Sequence, residues 1–314
     1  MKRLIYFALV LAFQLNHFSA YASSPLKYLY VVTSPEGEIS YLFGTIHSGV
    51  PFREIPDRVK EIILSAKRLV LESNEYIFTE AIQYVLETEA QQKTNFITKH
   101  LKALSLNDLI RHVAKNDSID WHSIPLNGLS RYEYIKNNFN SPIKLSKFLN
   151  DLIKSSVMRK NDQTYVLDYE IRNYYVTHWE QSSIHYLDTI DIYKKIIYIL
   201  YNPSDILTIS KNYKDIIKGN EATHRLYRNG ELLDILVHNF IFQGRKKQNR
   251  MSLNMNSKEA DDFLINYRNK DWLPKLKEAI DAGEAFIAFG LAHLHGVITL
   301  LENEGYEVSL FEPK

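Results

Sequence analysis

The spacing of apolar positions switches from strand-like to helix-like and back near both ends of this chain, in the same order each time. Residues 29–33 (LYVVT) and 39–46 (ISYLFGTI) are short runs rich in β-branched and aromatic side chains, the composition of strands. Between them, Ser34-Pro35-Glu36-Gly37 puts Pro at the second position of a turn and Gly at its exit. The pair predicts an antiparallel hairpin ending at His47. Beyond Pro51 and Pro56, the residues Val59, Ile62, Ile63 and Ala66 share one helical face, predicting an amphipathic helix over Asp57–Lys67. RLVLES then predicts a short buried strand, Leu69–Glu72. At the other end, residues 260–283 read as a helix with a break at Pro274 and a stop at Gly283. EAFIAFGLAH is an apolar strand running into His293, Gly296–Asn303 a helix closed by Gly305, and YEVSLFE a final strand.

The middle, from about 76 to about 256, has a different texture. It is rich in Tyr, Asn, Lys and Ile, with helical periodicity clearest in KFLNDLIKSSVMRK and YKKIIYILY. A helix over Tyr165–Tyr175 and a strand around Ser183–Leu187 are also predicted, and no low-complexity linker separates the parts. The pattern predicts an α/β (α+β) fold in which two β/α/β units form a small mixed sheet flanked by helices. One domain, 23–314, would hold a core of residues 27–75 and 260–312, with a large helical insertion at about 76–256.

The first residues change where this domain is expected to work. MKR is basic, LIYFALVLAF is apolar, and Ala20-Tyr21-Ala22 is a small-x-small site before Ser23, the three-part layout of a secretory signal peptide. The apolar stretch is shorter than the ~20 residues a membrane span needs, which favours cleavage at residue 22 over an anchor. An exported protein, periplasmic or extracellular, with no stable membrane span after cleavage, is therefore expected. The chain has no Cys, which excludes a lipid-modified cysteine, cysteine catalysis, thiolate zinc sites and iron–sulfur clusters. With 38 Lys+Arg against 37 Asp+Glu, its formal net charge is +1. That balance argues against a nucleic-acid partner, which normally requires a basic face.

The two ends also share a motif. YLFGTIHSGV (41–50) and IAFGLAHLHG (287–296) both contain Phe-Gly-x-x-His, each followed closely by Gly-Val. Functional side chains collect at the carboxyl ends of parallel strands, and His47, His293 and Glu72 are each predicted at such an end. Two imidazoles and a carboxylate form a common catalytic metal set with open positions for water. Glu72 serves equally well as ligand or as general base. The structural glycines Gly44 and Gly290 lack a side chain, so another backbone, a ligand or a metal could approach. His295 reads as a surface or supporting residue. His112, His122, His178, His185, His224 and His238 lack ligand spacing and read as helical surface or interface.

LFGTIH, Pro51, LVLES, YRNKDW and AFIAFGLAHLHGVITLLENEGYEV together resemble the TraB/GumN group, which includes the Tiki-type metalloproteases. The clear likeness covers 38–75 and 260–312. The group's two Gly-x-x-His motifs, Glu and Arg-Asn pair match Gly44–His47, Gly290–His293, Glu72 and Arg268-Asn269. YVLDYEIRNYY…SIHYLDT is similar to the group's central helix and strand, except that Leu-Asp at 187–188 stands where Leu-Glu is usual. The resemblance implies a compact fold of two β/α/β units and a hydrolase, peptidase-like, dependent on a divalent metal such as Mn, Co or Zn. Its substrate would be a peptide or small molecule. Arg268, always protonated, would bind a substrate carboxylate or steady an oxyanion, with Asn269 orienting a neighbour. Distant relatives of this fold bind haem or are esterases, so a non-catalytic haem- or ligand-binding protein is the alternative reading.

Overall fold

The computed structural model describes residues 27–46, 50–91, 105–157, 167–179, 183–200, 206–228 and 262–312. The signal-like segment, His47 and His238 therefore lie outside the described residues. The chain order is β1 (Leu29–Thr33), β2 (Ile39–Thr45), α1 (Asp57–Ser65), β3 (Arg68–Leu71), α2 (Glu75–Gln91), α3 (Leu106–Ala114), α4 (Arg131–Asn138) and α5 (Pro142–Val157). It continues with α6 (Leu167–His178), β4 (Ser183–Tyr186), α7 (Ile190–Leu200), α8 (Ile206–Lys211), α9 (Tyr213–Arg228), α10 (Arg268–Asp281), β5 (Ala285–Gly290), α11 (Leu294–Asn303) and β6 (Glu307–Leu310). The architecture is the mixed α/β one expected.

The six strands form one sheet in the order β4-β3-β5-β2-β1-β6. The two terminal units are interleaved: β5 lies between β2 and β3 and runs parallel to both. The hairpin β1–β2 is antiparallel, with Leu29 opposite Phe43, and β6 closes the far edge against β1. Gly37 closes the hairpin turn, donating its N–H to the Ser34 carbonyl at 2.9 Å with φ of 92°. That is a left-handed conformation in which a side chain would be strained. Strand β5 is buried along its whole length, as a central parallel strand covered on both faces must be.

Two details differ from the sequence reading. Helix α10 runs through Pro274 without ending there. Packing of Trp272, Leu276 and Ile280, all 0% exposed, outweighs the hydrogen bond a proline removes. The irregularity lies earlier, in a wide π-helical turn over Asp262–Tyr267, a feature common beside functional groups. After Gly290 the chain makes a 3-10 turn, Leu291–His293, and α11 begins at Leu294 rather than at Gly296.

Apolar side chains gather in one large cluster around the sheet and a second among the insertion helices. Helix α9 joins them: Tyr213 at its start is buried in the insertion cluster, and Tyr227 at its end in the sheet cluster. No helix among the described residues is long and apolar enough to cross a membrane.

Candidate functional site

Four neighbouring parallel strands, β4, β3, β5 and β2, lead to the site. Glu72 follows β3, and the ladder continues past the regular pairing: Glu72 N–H donates to the Ala288 carbonyl at 3.1 Å, and Asp188 N–H to the Glu72 carbonyl at 2.9 Å. Asp188 is thereby carried beside Glu72. Strand β5 leads to His293, and β2, beside it in register Thr45 to Gly290, leads toward His47. The strand ends that precede the two histidines are neighbours.

At the centre is Arg268, the first residue of α10 and 5% exposed. Its Nε donates to Asp188 Oδ1 at 3.2 Å, and Nη2 donates to Asp188 Oδ2 at 2.5 Å and to Glu72 Oε1. Nη1 donates to the Leu264 carbonyl at 3.2 Å and to His293 Nε2 at 3.0 Å. A guanidinium has five N–H groups, and these contacts use them all. Binding a substrate carboxylate or oxyanion with Arg268 would require one of these bonds to be released. Burial alone would lower the Arg268 pKa, but the adjoining Glu72 and Asp188 carboxylates more than offset it and hold the side chain firmly protonated.

Each partner of Arg268 is held in turn. Glu72 Oε2 accepts the Gly290 N–H at 2.7 Å. Asp188 Oδ1 accepts Trp272 Nε1–H at 2.8 Å; the Trp272 ring lies 4.6 Å from the Arg268 guanidinium carbon and 4.4 Å from the His293 ring. His293 Nδ1 lies 2.6 Å from Asn269 Oδ1, and Asn269 Nδ2 donates to the His293 carbonyl at 3.4 Å. An amide oxygen only accepts, so Nδ1 carries the proton and Nε2 presents its lone pair inward. Glu72, Asp188, Asn269 and His293 are at most 4% exposed. Burial pushes the Asp188 carboxyl up to about 6; the Arg268 charge pulls against that and the Glu72 charge adds to it.

The sequence reading left Asp188, Trp272 and Tyr193 out of the site. Asp188 stands where the resembled group usually has Glu, and its ladder bond to Glu72 places it in the site. Trp272 had a usable signal, lying four residues after Arg268 on the same helix face. Tyr193, on α7, lies 2.6 Å by its hydroxyl from Ser73 Oγ. Burial and then the Glu72 and Asp188 charges push its phenol well above the ordinary range, so it keeps its O–H. His112, His122, His178, His185 and His295 are exposed, whereas His224 is buried within α9.

The glycines have more specific tasks than general access. A Cβ on Gly44 would lie 2.5 Å from Leu291 Cδ1 and 3.3 Å from Leu291 Cα, so the first motif's glycine makes room for the second motif. A Cβ on Gly296 would lie 2.3 Å from Asn269 Nδ2, so Gly296 admits the amide that holds His293.

The sequence model of the TraB/PrgY/gumN family matches residues 28–310, nearly the whole chain. This chain belongs to the TraB/PrgY/gumN family. No curated protein and no solved structure matches it. The family match includes the helical insertion as well as the terminal units. Among the described residues of this family member, no three His, Asp or Glu side chains cluster as a metal-ion set; His47 lies outside them.

Proposed function

We propose that this TraB/PrgY/gumN family member is an exported, divalent-metal-dependent hydrolase acting on peptide or amide bonds. The observation that carries the reading is the fixed tautomer of His293. Its Nε2 accepts from the Arg268 guanidinium at 3.0 Å, and its Nδ1–H is tied to the amide oxygen of Asn269 at 2.6 Å. Metal-ligating histidines characteristically give their other ring N–H to such a partner. The residues suit a cation: a neutral imidazole, the Glu72 carboxylate, and a second carboxylate, Asp188, sharing a single guanidinium with Glu72. His47, Glu72 and His293 would hold the ion, which when bound supplies a Lewis acid and a water acidified toward neutrality.

The chain's own side chains have separable parts. Gly290 N–H fixes one Glu72 oxygen, whether Glu72 serves as ligand or as general base. Asp188 and Trp272 hold Arg268, and Arg268 balances the two carboxylates. Nε2 of His293 has one lone pair, so Arg268 and a cation compete for it. The Tyr193 hydroxyl, kept protonated, shares a hydrogen bond with Ser73, the residue after Glu72.

The test uses the mature chain from Ser23, stripped of metal and reloaded with Mn, Co or Zn. About one ion per chain is expected, with uptake lost in His47→Ala and His293→Ala and peptide hydrolysis lost with it. Wild type that takes up none of these ions would remove the reading. Export is checked by the N-terminal residue of the protein recovered outside the cytoplasm; Ser23 is expected.

A further inference from the structure

The insertion reaches back to the first motif at both ends of one short connection. Tyr227, in the last turn of α9, donates its hydroxyl to the Gly44 carbonyl at 2.8 Å. Gly44 is the last residue but one of β2; its N–H donates to the Tyr28 carbonyl at 2.8 Å, one step beyond the regular β1–β2 register, and the phenol serves its carbonyl near the strand end. The Tyr227 ring is 0% exposed and stacks on Tyr28 at 4.4 Å and 12°. On the other side, Glu170 of α6 accepts the Phe52 N–H at 2.7 Å, and Tyr174 of α6 packs its ring 4.8 Å from Phe52. Arg228, next to Tyr227, donates from Nε to Glu54 at 2.6 Å. That pair is partly exposed and is the weakest of these contacts.

We infer that the helical insertion positions the described ends of the connection from β2 to α1, by a clamp that α9 closes on Gly44 of the first motif and α6 on Phe52. The anchors are Gly44 and Phe52, and the sequence between them contains His47. The second motif is held without the insertion helices α6 and α9: Asn269 of its own unit holds His293, and Glu72 after β3 holds the Gly290 N–H. A strand end left with an unserved carbonyl, or a loop amide without its acceptor, opens more readily. Tyr227 and Glu170 are thus positioning residues that act through the backbone. Because α9 also begins in the insertion's own cluster, at Tyr213, roughly 21 Å from Tyr227 at 1.5 Å per residue, the positioning extends from one cluster to the other.

The inference rests on the proposed function only in assigning the first motif a metal. Tyr227→Phe removes one oxygen and keeps the ring stack; Glu170→Ala removes the acceptor; Glu170→Gln keeps an acceptor and serves as rescue. Tyr213→Phe, at the opposite end of α9, is the control. In metal-free protein, residue-resolved hydrogen exchange at Gly44 and Phe52 is expected to quicken about tenfold or more in the first two variants, with β3 and β5 unchanged. Zn2+ affinity, measured by chelator competition, is expected to fall about tenfold, the scale seen for outer partners of ligands. Glu170→Gln and Tyr213→Phe should match wild type in both. Unchanged exchange at both amides would overturn the clamp. Faster exchange with unchanged Zn2+ affinity would overturn its positioning role. Wild type that binds none of Mn2+, Co2+ and Zn2+ would instead overturn the proposed function, and the exchange result would still decide the clamp.

Discussion

The two copies of one motif are held in opposite ways. At the second copy, His293 is fixed by Asn269, 24 positions earlier in the chain, and the strand end by Glu72 through Gly290. These are short, buried contacts within the sheet core. At the first copy, Gly44 is fixed by Tyr227, 183 positions later, from a helix whose other end packs in a separate cluster. Matched sequence does not bring matched support. One copy is held from within the sheet core, by Asn269 and by Glu72, 218 positions before Gly290; the other depends on the docking of a helix rooted in a second cluster.

The largest expected effect comes from breaking the shared centre. Arg268→Met leaves the Glu72 and Asp188 carboxylates facing each other in a buried site, and removing one partner of a buried ion pair costs about 3–5 kcal/mol. Urea denaturation should show that loss, with Arg268→Lys falling between wild type and Met because it keeps the charge but not the fork. A cost below that of an ordinary surface substitution would mean the centre is not formed.

Next is the contact between the copies. Gly44→Ala forces a methyl against Leu291, and overpacking of this kind costs about 1–3 kcal/mol. The side-chain end of Leu291 can turn away, but its Cα is also close, so thermal denaturation should still register the change. Leu291→Ala in the same chain should recover part of it.

Asn269→Ala and Gly296→Ala attack the second copy alone. Either should leave the His293 Nδ1 proton without its acceptor, at about 1–3 kcal/mol, and lower metal affinity roughly 10–100-fold. The first copy's hydrogen exchange should not change. If it does, the two supports are not independent.

The smallest effect separates the copies by pH. Burial, and then nearby Arg228, push His224 down to about 4 from 6.5. Because the folded value is the lower one, the unfolded chain takes up the proton first. The stability that depends on neutral His224 is therefore complete above about pH 6.5 and is lost as pH falls toward 4. Allowing for solvent screening, the loss is no more than about 2 kcal/mol. Melting curves between pH 4 and 8 should show it, and His224→Leu should flatten it. Since His224 lies in α9, acid should quicken exchange at Gly44 before it does so at Gly290.

The elements of both terminal units were legible in the sequence, because each carries its own period and its own turn residues. The hairpin, the face of α1 and the buried run of β5 needed no partner to be read. The interleaving of β5 between β2 and β3 was not legible, since parallel pairing is decided by residues far apart in the chain. The same cause hid Asp188, whose place beside Glu72 follows from a ladder between segments 116 positions apart. Gly44 read as a general point of close approach; its neighbour proved to be Leu291 of the other motif, which only the sheet order reveals. Arg268 read as a substrate contact from its charge, whereas its five bonds to the protein could be counted only in three dimensions.

The central claim is that both motif histidines serve one cation. The most direct test titrates Mn2+ into the mature chain, with the histidine rings isotope-labelled, and follows paramagnetic broadening. The account predicts that the His47 and His293 ring signals broaden together and are complete at about one equivalent, while His112 and His122 stay sharp. Broadening of one ring without the other, or of neither, would contradict it.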